Sequence, residues 1–264
     1  MTRWALVVLV LLTAAVGLPA QAAPGHTIVE VPVVDAPWDY QIGGARPPAD
    51  GVTIVDRDRK AQPVTGDYNI CYVNAYQTQG DEVRFWRRHP AHWKLVLKTA
   101  AGKPVVDSAW GEFLLDTRTP AKRHALIAIV GRWIDGCATS GFDAVELDNL
   151  DSWNRSKHLI TRADNKAFAR LLAARAHHDG LAAAQKNWAE LRATGPRLGF
   201  DFAIAEECGR WHECGSYAKP YSNRVFDVEY RKKDFRAACQ AWGDRISIVL
   251  RDLEVTPSGP DRRC

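Results

Sequence analysis

Residues 141–153 read GFDAVELDNLDSW and place four carboxylates, Asp143, Glu146, Asp148 and Asp151, in a stretch with the apolar content of a buried strand. An ionised carboxylate buried without a partner costs several kcal/mol or more. Such a cluster is either a surface loop or a set of charges kept for chemistry. In an extended strand alternate side chains face opposite ways, so Val145 and Leu147 share one face and Ala144, Glu146 and Asp148 the other. Three later apolar runs also end in polar groups: Lys186-Asn187, Glu206-Glu207 and Glu229-Tyr230. Lys186 shares a face with Ala182 and Ala184 and is expected to neutralise Glu146. Two carboxyl groups across a pocket are the minimum equipment for glycoside hydrolysis, one protonating the leaving oxygen and the other attacking or activating water. Trp153, Trp188 and Trp211 follow these positions closely and offer faces for stacking on sugar rings. For each residue taken singly, core ion pairing, rim solvation or ordinary packing is the competing explanation.

The elements that must hold these groups alternate between strand and helix. Short apolar runs predict strands at Trp38–Ile42, Val52–Asp56, Asn69–Tyr76, Glu112–Asp116, Ala144–Asn149, Ala182–Asn187, Phe202–Glu206, Phe226–Tyr230 and Ile246–Arg251. Leu126, Ile127, Val130, Trp133 and Ile134 recur at helical spacing, with an expected stop before Gly136. Thr161 and Asp164 have the spacing of a capping box, followed by a stripe of Ala167, Phe168, Leu171 and Leu172 and an end at Gly180. Strand–helix alternation implies parallel pairing, and this length fits a single-domain α/β fold, the closed (β/α)8 TIM-type barrel. Nine strands are one too many for it. A doubly wound sheet is the alternative, weakened by the lack of a Gly-rich loop after the first strand. In the barrel, Asp148 and Asn149 fall at the C-terminal end of their strand, where barrel enzymes carry their chemistry.

The start of the chain reads as a leader. Met1-Thr2-Arg3 is basic, Trp4 to Val16 is almost wholly apolar, and Ala20-Gln21-Ala22 has the small-x-small pattern of a cleavage site. The apolar run is shorter than the roughly 18–20 residues of a membrane span. The expected division is a secretory signal peptide at 1–22 and one domain at 23–264, released outside the cell without stable membrane association. The formal charge of the 264-residue chain is +4, with Lys and Arg scattered, which argues against nucleic acid as a partner. Six cysteines suit an oxidising compartment. Cys208 and Cys214 flank a short loop and are the expected pair, while three pairings of Cys71, Cys137, Cys239 and Cys264 stay open. No CxxC, HExxH or finger-like Cys/His block is present, so no metal and no cofactor is expected.

The segment from Gly141 to Asp151 resembles the GFDGVEPDNxD signature of the endo-α-1,4-polygalactosaminidase family, glycoside hydrolase family 114. Ile70-Cys71-Tyr72, Leu114-Leu115-Asp116, Lys186-Asn187, Glu206-Glu207-Cys208 with Cys214, Val225–Tyr230 and the strand around Trp38 extend the resemblance in order over nearly all of the mature chain. It implies a TIM-type barrel that hydrolyses galactosamine-containing polysaccharide, here expected as a monomer. By position it implies Asp148 and Glu206 as catalytic carboxyls. Asn149, Asp151, Lys186, Asn187, Glu229 and Tyr230 would line the site, joined by Trp38, Tyr72, Asp116, Glu146, Trp153 and Glu207 as substrate-binding residues.

Leu147, Ala205 and Glu207 depart from the family's usual Pro, Asn and Gln, which bears on substrate preference. Alternation along Phe202–Glu206 complicates the assignment: if Phe202 and Ile204 face the helices, Glu207 and not Glu206 faces inward, unless a bulge intervenes. The rim would gather Asp148, Asp151, Glu206, Glu207, Glu213 and Glu229, with Lys186 its one base, and so favour a cationic substrate. Two other classes fit the same scaffold. One is a secreted carbohydrate-binding protein without turnover, in which Asp148 and Glu206 need not converge. The other is a metal-assisted hydrolase, in which the histidines would cluster.

Overall fold

The computed structural model describes Met1 and residues 29–264, so the leader expected at 1–22 lies, Met1 apart, outside the described residues. Among the described residues no helix is long and apolar enough to cross a membrane.

The strands are β1 (Trp38–Gln41), β2 (Ile54–Asp58), β3 (Tyr68–Asn74), β4 (Val106–Asp107), β5 (Glu112–Phe113), β6 (Ala144–Asp148), β7 (Ala182–Lys186), β8 (Phe202–Glu206), β9 (Val225–Glu229), β10 (Ser247–Leu250) and β11 (Arg262–Arg263). The helices are α1 (Val83–Arg88), α2 (Pro90–Trp93), α3 (Pro120–Ser140), α4 (Arg162–His178), α5 (Thr194–Leu198), α6 (Cys214–Ala218) and α7 (Lys232–Trp242). Strands β1, β2, β3, β6, β7, β8, β9 and β10 run parallel in that order, and β11 adds antiparallel to β10. Beside β1, β10 comes round so that Ser247 Oγ donates to the Ala36 carbonyl (2.8 Å) and Arg251 donates to the Tyr40 carbonyl. The result is a nearly closed (β/α)8 TIM-type barrel.

The ninth expected strand is accounted for. Only Glu112–Phe113 of the run 112–116 is extended, and it pairs with Val106–Asp107 as a hairpin outside the barrel. Leu114 and Leu115 instead bridge to Gln77 and Val96, where both leucines are buried. Helix α3 also runs past its expected stop, through Gly136 to Ser140. An interior glycine costs a helix only ~1 kcal/mol. Gly141, at φ 91°, is the residue that ends it, because glycine takes the left-handed conformation there without steric cost. Helix α4 begins with the expected capping box, Thr161 Oγ1 accepting from Asp164 N and Asp164 accepting from Thr161 N.

Alternation along each strand builds two cores. Val73, Val145, Leu147, Ala183, Ala203, Ala205 and Val225 face outward under the helices. Trp38, Tyr40, Ala144, Ala184, Phe202, Ile204, Phe226 and Val228 fill the barrel. Phe202 and Ile204 therefore face inward, the reverse of the alternative weighed from sequence. The reason is volume. Below Glu146 and Lys186 the neighbouring strands β6 and β7 offer only the small Ala144, Ala182 and Ala184 to the barrel interior, and large side chains from β8, β9 and β1 fill the space: Phe202 and Phe226 meet edge to face at 5.8 Å, Phe226 and Trp38 at 5.4 Å. The phase set by Phe202 and Ile204 carries Glu206 inward without a bulge.

Three disulfides join Cys71 to Cys137, Cys208 to Cys214 and Cys239 to Cys264. The expected Cys208–Cys214 pair has a Cα separation of 4.8 Å. Cys71–Cys137 ties β3 to α3, and Cys239–Cys264 ties the last residue to α7.

Candidate active site

The C-terminal ends of β6, β7 and β8 are each followed by a residue with positive φ: Asn149 (67°), Asn187 (52°) and Glu207 (58°). Non-glycine residues in this region cost of order ~1–3 kcal/mol each and cluster at functional sites. These turns swing the backbone away while Asp148, Lys186 and Glu206 still point into the barrel.

At the bottom of the site Lys186, 1% exposed, is ringed by acids. Its Nζ lies 2.5 Å from Glu146 Oε1, 3.7 Å from Asp148 Oδ1 and 3.8 Å from Glu206 Oε1, and it donates to the Tyr40 hydroxyl at 2.8 Å. Burial pulls the Lys186 pKa down, but Asp148, Glu146 and Glu206 outweigh it and hold the ammonium charged, well above its ordinary range. Burial raises the Glu146 carboxyl, with Lys186 opposing. Next to it the wholly buried Asp56 is pushed well above the carboxylate range by burial and by Glu146. The Glu146–Lys186 pair expected from the shared strand face is present.

Above this layer the two remaining carboxylates are held in fixed poses. Asp148 accepts from the Tyr72 hydroxyl (Oδ2, 2.8 Å) and from Asn149 N–H (Oδ1, 2.7 Å). Glu206 accepts from Asn187 Nδ2 (2.8 Å) and from the Tyr230 hydroxyl, while its own N–H donates to Asn187 Oδ1 (2.8 Å). One ammonium reaches both acids, so the Asp148 and Glu206 oxygens nearest to it lie no further apart than 3.7 plus 3.8 Å. Both open onto a cleft of about 430 Å³, bordered also by Tyr72, Asn149, Asp151, Asn187 and Tyr230.

Other expected site residues lie elsewhere. Trp38 is fully buried at the opposite end of the barrel, because it opens β1 and the active rim is where the strands end. Asp116 lies off the cleft with Arg118 and Lys122; burial would raise its carboxyl, but those two cations draw it below the usual range. Trp153 packs on Trp188 and under Arg162. Glu207 points away from the barrel and is clasped by Arg210 Nη1 at 2.6 and 2.8 Å. Glu229 has the outward phase of β9, and its Oε1 accepts from the N–H groups of Gly209 and Arg210, steadying the loop after β8 instead of meeting substrate. Trp211 is exposed on that loop beside Arg210 and does not border the cleft. Lys186 is not the rim's one base either, since Arg155 borders the cleft and pairs with Asp151 (3.0 Å) and Asp107 (2.8 Å). Among the described residues no histidine borders the cleft.

Sequence reasoning missed one wall of the cleft, formed by Gln79, Asp107, Trp110 and Glu112 on and beside the β4–β5 hairpin. The opposite wall carries Leu253 and Glu254 after β10. The signal for the first wall is the run Trp110-Gly111-Glu112, a turn with an aromatic and an acid, but its Glu112 also opens the apolar run Glu112–Asp116 that reads as a barrel strand.

The family model described as glycoside-hydrolase family GH114 matches residues 18–264. The chain belongs to that family. It is thus a glycosidase on a TIM-type barrel, as the resemblance of its motifs implied. Among solved structures it is similar to Ega3 of Aspergillus fumigatus, crystallised in complex with galactosamine, at 21% identity over 91% of this chain and 100% of that one, with a TM-score of 0.72. It is also similar to the glycoside hydrolase domain of PelA from Pseudomonas aeruginosa, at 15% identity over 85% of this chain and 96% of that one, with a TM-score of 0.59. At these identities the likeness is one of fold. No curated protein matches the chain.

Proposed function

We propose that this family member is a secreted endo-acting hydrolase of α-1,4-linked, galactosamine-containing polysaccharide, with Asp148 and Glu206 as its catalytic carboxyls. The observation that carries the assignment is their convergence on the Lys186 ammonium at the floor of one open cleft. Galactosamine bound to Ega3 supports the sugar class. The three disulfides fit an oxidising destination, in keeping with a leader at 1–22.

In this reading Glu206 is the acid that protonates the leaving oxygen, and Asp148 the nucleophile. Tyr72, the Asn149 N–H and Lys186 surround Asp148 with donors that align it and accept its charge when the glycosyl bond breaks. Glu206 is the more exposed of the two, 30% against 16%, and so the better placed to exchange protons with solvent between its acid and base turns. Retaining enzymes separate the two carboxyls by about 5–5.5 Å and inverting ones by about 6.5–9.5 Å. Convergence of both acids on one ammonium supports the shorter spacing, and retention is expected. Convergence of the acids is also what a binding protein without turnover has no reason to keep.

Purified protein incubated with deacetylated and with acetylated galactosamine polymers, followed by product sizing, tests the proposal. Short oligomers are expected, with the anomer of the first product retained by proton NMR. Absence of any shortened product from either polymer would end this reading, and an inverted anomer would remove Asp148 as nucleophile. Asp148→Asn and Glu206→Gln are each expected to lower kcat by about a thousandfold or more, as losses of acid–base or nucleophilic groups do.

A further inference from the structure

The β4–β5 hairpin is an insertion between barrel strands β3 and β6, and its turn stands over the cleft. Gly111 N donates to the Asp107 carbonyl (2.8 Å) and Ala109 N to Asp107 Oδ1 (3.0 Å), closing the turn with Trp110 at its tip. Trp110 borders the cleft and yet is 52% exposed, a large apolar ring left uncovered at the mouth of a polar pocket. Glu112 follows on the strand below. Its Oε2 accepts from Asn74 Nδ2 (2.8 Å), and Asn74 Oδ1 in turn accepts from Asn149 Nδ2 (3.0 Å), next to Asp148. Among the described residues Oε1 of Glu112 has no side-chain donor. Asp107, the other acid of the hairpin, is already matched by Arg155 (2.8 Å) and Gln77 (3.1 Å). Glu112 has no such cation. An acid steadied by Asn74 and the Gly80 backbone, with no cation of its own, on the same cleft wall as an uncovered aromatic ring is the pairing that recognises a sugar ring carrying an ammonium group.

We infer that the β4–β5 hairpin forms an amino-sugar subsite beside Asp148, in which Trp110 stacks on the ring and Glu112 accepts a hydrogen bond from the ring's ammonium. The inference rests on the proposed polysaccharide reading for the sugar class and goes beyond it in naming the residues that choose between amine and acetamide. An N-acetyl group has no charge to offer Glu112 and adds bulk, so the carboxylate discriminates where the tryptophan does not.

Calorimetric titration of the full chain with an α-1,4-linked galactosamine tetramer and its fully N-acetylated counterpart tests this, with turnover stopped by Asp148→Asn in every protein. The parent is expected to bind the free-amine tetramer more tightly. Glu112→Gln keeps an acceptor for Asn74 and so the local fold, and is expected to reduce the preference about tenfold, the effect of losing one charge-assisted hydrogen bond. Trp110→Ala is expected to weaken both tetramers about tenfold and leave their ratio in place. A Glu112→Gln protein with the parent's preference, a Trp110→Ala protein that binds both tetramers as the parent does, or a parent that binds neither overturns the inference. Failure of the wild-type chain to shorten the polymer speaks against the proposed hydrolysis instead, and leaves this binding measurement readable.

Discussion

Lys186 is the residue on which the site's electrostatics depend. It is buried with Glu146 and lies within 4 Å of both Asp148 and Glu206, so removing it leaves acids facing one another without a cation. Lys186→Met is expected to cost ~3–5 kcal/mol of stability, as breaking a buried pair does. It should also lower kcat about a hundredfold or more, because the two acids proposed as catalytic lose the charge that sets their approach. Chemical denaturation and initial rates check the two effects separately. Glu112 gives a pH prediction. Burial raises its carboxyl from the ordinary 4.5 to about 7, with the Asn74 hydrogen bond opposing. Between those values the folded chain holds a proton that the unfolded chain has released, so stability falls as pH rises toward 7. Glu112→Gln should therefore be level with wild type at pH 4 and more stable at pH 8, by ~1–2 kcal/mol once solvent screening of this partly exposed group is allowed for. A variant whose melting temperature differs from wild type equally at both pH values would contradict the assignment.

At the level of elements, β8 shows how packing aims a proposed catalytic residue. Phe202, Ile204 and Glu206 share the inward face, so whatever fixes Phe202 in the barrel also aims Glu206. Phe202→Ala is expected to destabilise the protein by ~3–5 kcal/mol and to lower activity in the fraction that stays folded. Unfolding midpoints with a matched rate assay check it, and an unchanged midpoint would mean that the barrel centre is looser than described. The Cys71–Cys137 bond closes a loop of 66 residues between β3, which bears Tyr72, and α3. Chain-entropy arguments give such a bond ~4 kcal/mol. Replacing both cysteines with alanine should lower the midpoint accordingly.

The whole molecule is mildly basic, at +4, while the cleft gathers Asp107, Glu112, Asp148, Asp151, Glu206 and Glu254 against Arg155 at its wall and Lys186 beneath. An acidic cleft concentrates cations. The ratio of kcat/KM on deacetylated to acetylated oligomers should exceed one and fall as salt is raised, because exposed charges beyond about 8 Å are screened at physiological ionic strength. A ratio of one at both salt concentrations would leave the glycosidase standing and remove the charge argument.

The sequence alone determined the strand–helix alternation, the period-two placement of Glu146 and Asp148, the Glu146–Lys186 pair and the capped start of α4. Each follows from interactions within one element or between neighbouring strands, whose spacing is written in the chain. Only the tertiary structure decided the rest. Glu206 was separated from Glu207 by the volume available inside the barrel, a property of eight strands together. Glu229 and Trp153 were removed from the cleft by the direction their elements take once packed. The hairpin bearing Trp110 and Glu112 was hidden because 112–116 has the apolar content of a strand; that its leucines bridge to Gln77 and Val96 outside the barrel depends on partners some 20 to 40 residues away in sequence.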